Sequence, residues 1–306
     1  MLKEKSKFII ATNMPGIEDN PGLERNVIDP ITKYYGGIEP IVLYRPTPQQ
    51  VAEQTYEIAE QGNLPMLLPM GGDGTLNWHL GNMDEYSQRT ALVPFPGGTA
   101  NDISTTINGK TSMKSVLAHG HLREVLPLKI DYENNSRRAL GYIGLGLTGD
   151  SAELINSSDS MKPSKLKDAL VVLNAVKKSR KMQLLDEEGM PLDAREIAAV
   201  NTRMASCLWL QKRRLGFFED YFDLVTSKGY VSTAKLATAG LARRIKGARI
   251  NKGQVVRLTK PNDGVSINAQ TDGEHFTINS GEIAIRKSII PVKIFSLNEI
   301  RSKLAS

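Results

Sequence analysis

Two glycine-rich loops constrain the fold of this chain more than any other feature of its sequence. The first, residues 71–75, reads Gly-Gly-Asp-Gly-Thr and follows the apolar stretch 64–70. The second, residues 96–102, reads Pro-Gly-Gly-Thr-Ala-Asn-Asp and follows the apolar stretch 91–95. A helical pattern follows each loop. Because such loops open at the carboxyl edge of a parallel sheet, where α/β proteins usually bind ligands, we expect them to lie side by side.

Strands, loops and helices alternate through the whole first third of the chain. Residues 8–12 and 38–44 read as further strands. A helix is predicted after Thr47, because Thr47 is a suitable cap, Pro48 suits the first helical turn and Gln50 stands at the capping-box position. This alternation predicts a parallel sheet with helices on both faces.

The pattern changes after about residue 121. Residues 125–132 and 138–145 read as paired strands, with the polar residues 133–136 as their turn. From residue 182 onward, short apolar stretches alternate with turn signals. These features predict a β-rich, sandwich-like second domain.

The length of 306 residues also favours two domains. We place an α/β nucleotide-binding domain at residues 1–122 and a β-rich domain on the acceptor side at residues 123–296. Residues 297–306 are predicted to form a helix that packs back on the first domain.

Charge divides the chain at the same place. Residues 1–122 carry 9 Lys or Arg against 13 Asp or Glu, whereas residues 123–306 carry 30 against 20. The stretch 235–260 holds eight basic residues and no acidic one. Such a stretch could attract a phosphate-rich partner, or it could be a solvated face without a partner.

The composition excludes several classes of protein. With 24% charged and 40% hydrophobic residues, the chain is neither disordered nor coiled coil. Its single cysteine, Cys207, excludes a disulfide framework and fits a reducing compartment. No apolar stretch approaches the roughly 18 residues of a membrane span, and the N-terminus lacks a signal-peptide core. We therefore expect a cytoplasmic protein.

The first loop has the composition of a phosphate site. Its glycines allow close backbone approach, and the following helix presents N–H donors to an anion. Asp73 would repel a phosphate unless a metal or a hydroxyl lies between them, which implies Mg²⁺ or proton transfer. The simpler interpretation is a tight turn without a ligand. For Asn101 in the second loop, the simpler interpretation is a helix cap, and for residues 272–273 it is a hairpin turn.

The ordered set of residues 71–75, residues 96–102 and Asp272-Gly273-Glu274 resembles the diacylglycerol kinase catalytic-domain family. Within that family the chain is similar to the bacterial lipid kinases related to sphingosine kinases and, more remotely, to NAD kinases. The resemblance implies an α/β domain, a β-sandwich domain, and an active site in the cleft between them. It also implies ATP and Mg²⁺ as cofactors and a lipid alcohol as acceptor.

The resemblance assigns a role to each matching residue. Asp272 resembles the general base that accepts the proton of the acceptor hydroxyl, and Asp73 and Asp102 are the other expected catalytic carboxylates. Asp73 is also expected to contact Mg²⁺ through ATP. The expected ATP-binding residues are Asn13, Gly71, Gly72, Gly74, Thr75, Gly98, Thr99, Asn101 and Glu274.

Two segments depart from the family's pattern. The turn that contains Asn13 lacks the usual Asn-Pro-x-Ser-Gly order. Glu219 and Asp220 stand where relatives carry an Asp-Asp-Gly sequence that forms a metal site, and the glycine is missing here. These two acids are candidate metal ligands in an altered site.

The expected function is ATP- and Mg²⁺-dependent phosphorylation of a diacylglycerol-like lipid, with peripheral contact between the basic second domain and the inner, anionic membrane face. Two alternatives remain open: a kinase of a soluble alcohol, similar to NAD kinases, and a non-catalytic protein that binds phosphate or lipid. Nucleic acid is not expected as a partner, because the basic stretch 235–260 contains no aromatic residues. Whether the chain forms a homodimer is left open.

Overall fold

The computed structural model describes residues 5–12, 24–97, 101–109, 111–156, 181–201, 204–205, 208–209, 219–227 and 248–297. The chain divides into two compact units. Unit 1 comprises Met1–Val125 and Val292–Ser306, and unit 2 comprises Leu126–Pro291. Within the described residues, no helix is long and apolar enough to cross a bilayer.

Unit 1 is a six-stranded sheet with helices. Its strands are β1 (Ser6–Thr12), β2 (Ile41–Tyr44), β3 (Leu64–Met70), β4 (Ala91–Leu92), β5 (His121–Val125) and β20 (Val292–Ser296). Its helices are a π-helical turn (Glu24–Ile28), α1 (Asp29–Tyr34), α2 (Pro48–Glu60), α3 (Asp73–Gly81), α4 (Asp102–Asn108) and α5 (Met113–His119). The strand order is β2-β1-β3-β4-β20-β5, and every neighbouring pair is parallel except β20 with β5.

The start of α2 follows directly from its sequence. Thr47 Oγ1 accepts a hydrogen bond from the Gln50 backbone N–H at 3.3 Å, and Gln50 Oε1 accepts one from the Thr47 N–H at 2.9 Å. This reciprocal capping box satisfies two backbone donors that the first turn would otherwise leave without partners. Val51 and Ile58 then bury the apolar face of α2, which contacts β1 and β3.

The last described strand differs from its expected place. The sequence assigned residues up to 296 to the β-rich domain, but β20 lies in the sheet of unit 1 between β4 and β5. Val292, Ile294 and Phe295 are buried there, and Phe295 belongs to the core around Phe8 and Leu68. The apolar alternation of this strand fits either sheet, so only the fold decides which sheet it joins. The expected helix of residues 297–306 lies outside the described residues apart from Leu297.

Unit 2 contains two six-stranded antiparallel sheets, with orders β10-β9-β16-β19-β6-β7 and β15-β14-β11-β8-β17-β18, and a separate pair, β12 with β13. Its elements are β6 (Leu128–Tyr132), β7 (Asn135–Ala139), β8 (Tyr142–Gly146), α6 (Leu147–Asn156), β9 (Met182–Leu185), β10 (Pro191–Ala194), β11 (Glu196–Val200), β12 (Met204–Ala205), β13 (Leu208–Trp209), β14 (Tyr221–Ser227), β15 (Ala248–Asn251), β16 (Val256–Lys260), β17 (Ile267–Thr271), β18 (Glu274–Ile278) and β19 (Gly281–Lys287).

One apolar core joins the two large sheets of unit 2. Ile130 and Ile285 from the first sheet belong to the same buried cluster as Ile143 and Ala269 from the second. The parallel α/β first unit and the antiparallel, sandwich-like second unit confirm the predicted fold class.

A predicted strand of unit 2 is divided in the structure. The sequence indicated one strand at residues 138–145, paired with the strand before it. The β6–β7 hairpin does form, and Glu133 adopts a left-handed conformation in its turn (φ 50°). However, the chain breaks at Leu140 and Gly141, and β8 continues in the other sheet beside β11 and β17. This break brings the backbone of residues 140–142 into the candidate site.

Tertiary contacts also change the interpretation of the basic stretch 235–260, of which residues 248–260 are described. Each of its four described basic residues has a partner within the protein: Arg249 lies over the Tyr221 ring, Lys252 is 3.9 Å from Asp220, Arg257 pairs with Glu282, and Lys260 pairs with Asp263. The described half of the stretch is therefore not an unpaired basic face.

Candidate active site

The first glycine-rich loop connects β3 directly to α3. Gly72 occupies the N-cap position of this helix and Asp73 its first turn. A Cβ atom on Gly71 would lie 2.1 Å from Thr75 Oγ1 and 2.5 Å from its Cβ, so only glycine fits where Thr75 folds over the loop. The backbone N–H groups of the first turn of α3 are donors of the kind that can bind an anion.

Asp73 links this loop to the second one. Its Oδ2 accepts a hydrogen bond from the Asp102 backbone N–H at 2.7 Å, and its Oδ1 accepts one from the Ile103 N–H at 3.2 Å. Both donors lie in the first turn of α4, so Asp73 caps a helix that begins 29 residues later in the chain. Burial raises the pKa of Asp73, although both backbone hydrogen bonds act to lower it.

The structure separates the cap position of α4 from the capping side chain. Asn101 occupies the N-cap position in a left-handed conformation (φ 53°, ψ 37°), but its side chain makes no capping hydrogen bond. The Asp73 carboxylate makes those bonds instead. Asn101 therefore occupies the helix-cap position, as expected, but its side chain does not make the expected capping hydrogen bond. Asp102 follows as the first residue of α4 and is buried.

The backbones of the two loops are also in direct contact. The Gly97 N–H donates to the Gly71 carbonyl oxygen at 3.1 Å. A Cβ atom on Gly97 would lie 2.9 Å from that oxygen and 2.9 Å from the Phe95 ring. β3 and β4 are parallel neighbours, so both loops leave the same edge of the sheet, as the sequence indicated. Gly98, Thr99 and Asn13 lie outside the described residues.

Asp272 lies in unit 2, in the two-residue turn between β17 and β18. Both turn residues have positive φ angles, 47° for Asp272 and 94° for Gly273, as a type I′ hairpin turn requires. The expected hairpin turn is therefore present. A residue in such a turn is usually exposed, but only 2% of the Asp272 surface is accessible.

The Asp272 carboxylate is held by three consecutive backbone N–H groups. Its Oδ1 accepts from Gly141 at 3.0 Å and from Tyr142 at 2.8 Å, and its Oδ2 accepts from Leu140 at 2.7 Å and, more weakly, from Gly141 at 3.2 Å. These are the residues at which the predicted strand 138–145 breaks.

The remaining predicted residues are more exposed. Glu274, in β18, lies 3.5 Å from Arg137, whose guanidinium also lies over the Phe276 ring. Glu219 and Asp220 are exposed. Within the part of the chain that the structure describes, no three acidic, histidine or cysteine side chains are grouped so that they could hold a metal ion. A metal site at Glu219 and Asp220 remains a prediction.

A buried glutamate of unit 2 was not singled out from the sequence. Glu196 is 1% exposed, and it accepts hydrogen bonds from Thr148 Oγ1 at 2.7 Å and from the Thr148 N–H at 3.0 Å. Burial raises the pKa of Glu196 to about 8. Gly144 packs against the same threonine, since a Cβ atom on Gly144 would lie 1.8 Å from Thr148 Oγ1.

Unit 2 also contains a cavity of about 470 Å³ lined by residues of α6, the start of β9 and the segment before β17. Asn268 Nδ2 donates to Asp150 Oδ1 at 2.9 Å and to Glu153 Oε2 at 2.8 Å on its wall. Asn268 lies near the start of β17 whereas Asp272 follows its end. The cavity therefore contains none of the residues that the sequence predicted for the site.

Comparisons with known proteins agree with the resemblance seen in the motifs. Residues 37–132, which include both loops, match the model of the diacylglycerol kinase catalytic domain. Two curated Staphylococcus epidermidis proteins, each named "Putative lipid kinase", are 32% identical over 105 residues. That match covers 33% of this chain and 32% of each relative's length.

Solved structures extend the comparison of the fold. A crystal structure of a diacylglycerol kinase from Bacillus anthracis superposes with a TM-score of 0.68 at 15% identity, covering 96% of this chain and 97% of that one. A second structure from the same organism gives 0.68 at 16%, covering 96% and 98%. At this identity the likeness shows the fold alone. The resemblance to the diacylglycerol kinase catalytic-domain family is thus confirmed for residues 37–132, in a chain that has the fold of bacterial diacylglycerol kinase structures over nearly its whole length.

Proposed function

We propose that the protein is an ATP- and Mg²⁺-dependent lipid kinase that transfers the γ-phosphate to a hydroxyl group of a diacylglycerol-like lipid. One observation carries most of this proposal: the Asp73 carboxylate joins the two glycine-rich loops by capping α4. The bond preorganises two anion-binding turns and places one acidic group between them. Phosphoryl transfer depends mainly on such positioning and on neutralising phosphate charge.

In this proposal the glycine loops bind ATP through their backbone N–H groups. Gly71 and Gly97 permit the close backbone approach, because a side chain at either position would clash. Thr75, Gly98, Thr99 and Asn101 contribute to the same phosphate site.

Asp73 also fits a Mg²⁺ ion that accompanies ATP. Each of its oxygens accepts one described hydrogen bond from the backbone of α4, which leaves accepting capacity on a carboxylate, the donor type that Mg²⁺ prefers. A bound ion would supply positive charge that offsets the negative charge of the phosphates. Asp102 in unit 1 and Glu274 in unit 2 are each proposed as a further polar contact of the nucleotide.

Asp272 is proposed as the general base. The hydroxyl proton of the acceptor passes to the Asp272 carboxylate while the hydroxyl oxygen forms a bond to the γ-phosphorus and the bond to the ADP oxygen breaks. Three N–H donors hold the carboxylate in one orientation, so little reorganisation is needed before the proton moves. No covalent intermediate with the protein is required.

The test is a radiolabelled-ATP assay with a panel of lipid and soluble alcohols. We expect transfer to diacylglycerol in mixed micelles and none to soluble alcohols. Transfer to a soluble alcohol only would replace the lipid assignment by a kinase resembling NAD kinases. Binding of ATP without transfer to any acceptor would favour a non-catalytic protein.

Two substitutions distinguish the proposed roles of the carboxylates. Asp272→Asn is expected to lower kcat by about 10²- to 10⁴-fold, the usual contribution of a general base, with little change in the KM for ATP. Asp73→Asn is expected to raise the KM for Mg²⁺-ATP as well as to lower kcat. Asp131→Asn, which alters a partly exposed carboxylate of unit 2 paired with Arg286, is the control and should leave both constants unchanged.

We also propose that the enzyme contacts anionic membranes peripherally. The support is the basic excess of residues 123–306, since each basic group near an anionic surface contributes roughly 1 kcal/mol. Arg249, Lys252, Arg257 and Lys260 already have partners within the protein, so these four residues are weaker candidates for this contact. Co-sedimentation with anionic vesicles should decrease when the salt concentration is raised, and absence of binding at low salt would contradict this contact.

A further inference from the structure

The backbone of residues 140–142 is held from two sides. Asp272 accepts hydrogen bonds from its three N–H groups. On the other side, Asn201 bonds its carbonyl groups: the Asn201 N–H donates to the Gly141 oxygen at 2.7 Å, and Asn201 Nδ2 donates to the Leu140 oxygen at 2.9 Å. The position of the Asp272 carboxylate therefore depends on a segment that Asn201 also holds.

Lys287 in turn orients Asn201. The Lys287 ammonium group donates to Asn201 Oδ1 and, at 3.2 Å, to the Leu126 carbonyl oxygen. The protonated ammonium group has donors only, so it requires the oxygen of the Asn201 amide to face it. The Nδ2 group must then point away, towards the Leu140 carbonyl. Lys287 thereby selects the one amide orientation that holds residues 140–142.

Both side chains of this pair, Lys287 and Asn201, are buried, which is unusual for a lysine. Lys287 is 2% exposed and Asn201 is fully buried. Burial lowers the pKa of Lys287 to about 7, while the charges of Asp220 and Glu219 act to raise it. Buried ionisable side chains are costly, and an apolar residue at the end of β19 would fill the same space without that cost.

We propose that Lys287 is a positioning residue for Asp272, acting through Asn201 and the backbone of residues 140–142. It does not touch the substrate. The proposal rests on the proposed function, because it assumes that Asp272 accepts the acceptor's proton. Removing the Lys287 donor releases the Asn201 amide, loosens residues 140–142 and displaces the carboxylate that they bind.

The experiment compares Lys287→Met with Lys260→Met. Lys260 is the matched control, because it is also a lysine of unit 2 that is only 2% exposed. Its ammonium group donates to the Pro261 carbonyl oxygen and to Asp263 and does not contact Asn201. We expect Lys287→Met to lower kcat at least tenfold while the KM for ATP changes less than twofold. Lys260→Met is expected to lose stability without that loss of kcat. Equal kcat losses in the two variants would overturn the proposal.

Two further measurements separate positioning from general destabilisation. In the Asp272→Asn background, Lys287→Met is expected to cause no additional loss of kcat, and a full additional loss would overturn the proposal. Amide hydrogen exchange at residues 140–142 is expected to accelerate at least tenfold in Lys287→Met and not in Lys260→Met. Asn201→Ala should reproduce the acceleration if Lys287→Met does not fold.

The two possible failures are distinguishable. An inactive wild-type protein, tested on the whole acceptor panel, would refute the kinase assignment. Unchanged exchange at residues 140–142 in an active, folded Lys287→Met variant would refute the coupling through Asn201 and leave the kinase assignment intact.

Discussion

The pH dependence of stability tests whether Glu196 is buried and protonated in folded unit 2. Because burial raises its pKa from 4.5 to about 8, the folded protein keeps this carboxyl protonated at pH values at which the unfolded chain has released the proton. Its contribution to stability is fully present below pH 4.5 and is lost as the pH rises through about 8. Between these limits the free energy of unfolding should fall by about 1.4 kcal/mol per pH unit from this group alone.

Glu196→Gln isolates this contribution. A glutamine has nearly the same shape as the protonated glutamic acid and does not ionise. Its oxygen accepts from the Thr148 N–H, and its amide donates to the Thr148 hydroxyl oxygen, whose own hydrogen is free to rotate. We therefore expect the difference in unfolding free energy, wild type minus variant, to decrease by about 2–3 kcal/mol between pH 5.5 and 7.5.

The assay is urea denaturation followed by circular dichroism at pH 5.5, 6.5 and 7.5. Other titrating groups, including buried His79, whose pKa burial lowers to about 4, are common to both proteins and cancel in the difference. Glu282→Gln is the control, because Glu282 is exposed in the same unit and pairs with Arg257. Parallel pH dependences of the wild type and Glu196→Gln would show that Glu196 is ionised in the folded state and would refute the argument.

Three further substitutions test the two glycine-rich loops and the proposed nucleotide contacts. Gly97→Ala should destabilise the protein by about 1–3 kcal/mol in thermal unfolding and weaken ATP binding, because its Cβ meets the Gly71 carbonyl oxygen at 2.9 Å; unchanged Tm and affinity would contradict this contact. Asp73→Asn places an amide group against the N–H donors of α4 and should cost about 1.5–3 kcal/mol, with faster amide exchange at the start of α4 and not in α2. Glu274→Gln should raise the KM for ATP with little effect on kcat, and a selective loss of kcat would remove Glu274 from nucleotide binding.

Some features of the fold and of the candidate site could be predicted because they depend on residues that are close in sequence. The capping box of Thr47 and Gln50 involves partners three residues apart, and its hydrogen bonds were expected from the pattern. The two glycine loops follow the same logic, since apolar strands before them and helical spacing after them place both at one edge of a parallel sheet.

The partners of the buried polar groups could not be predicted in this way. Asp73 bonds a helix 29 residues away, and Asp272 bonds a backbone segment more than 120 residues earlier in the chain. Nothing close to Lys260 or Glu196 in the sequence indicates that either side chain is buried. The pairing of Lys252 with Asp220 and of Arg257 with Glu282 depends equally on which strands become neighbours.

The sequence by itself determined the alternation of strands and helices, the two glycine-rich loops and the change to a β-rich second half, because residue spacing and backbone conformation are local properties. Only the tertiary structure decided that β20 returns to the first sheet, that residues 138–145 divide between two sheets, and that Asp73 caps α4. The physical reason is that a buried carboxylate, amide or ammonium group must find a hydrogen-bonding partner, and the folded topology alone determines which distant backbone groups are close enough to supply it.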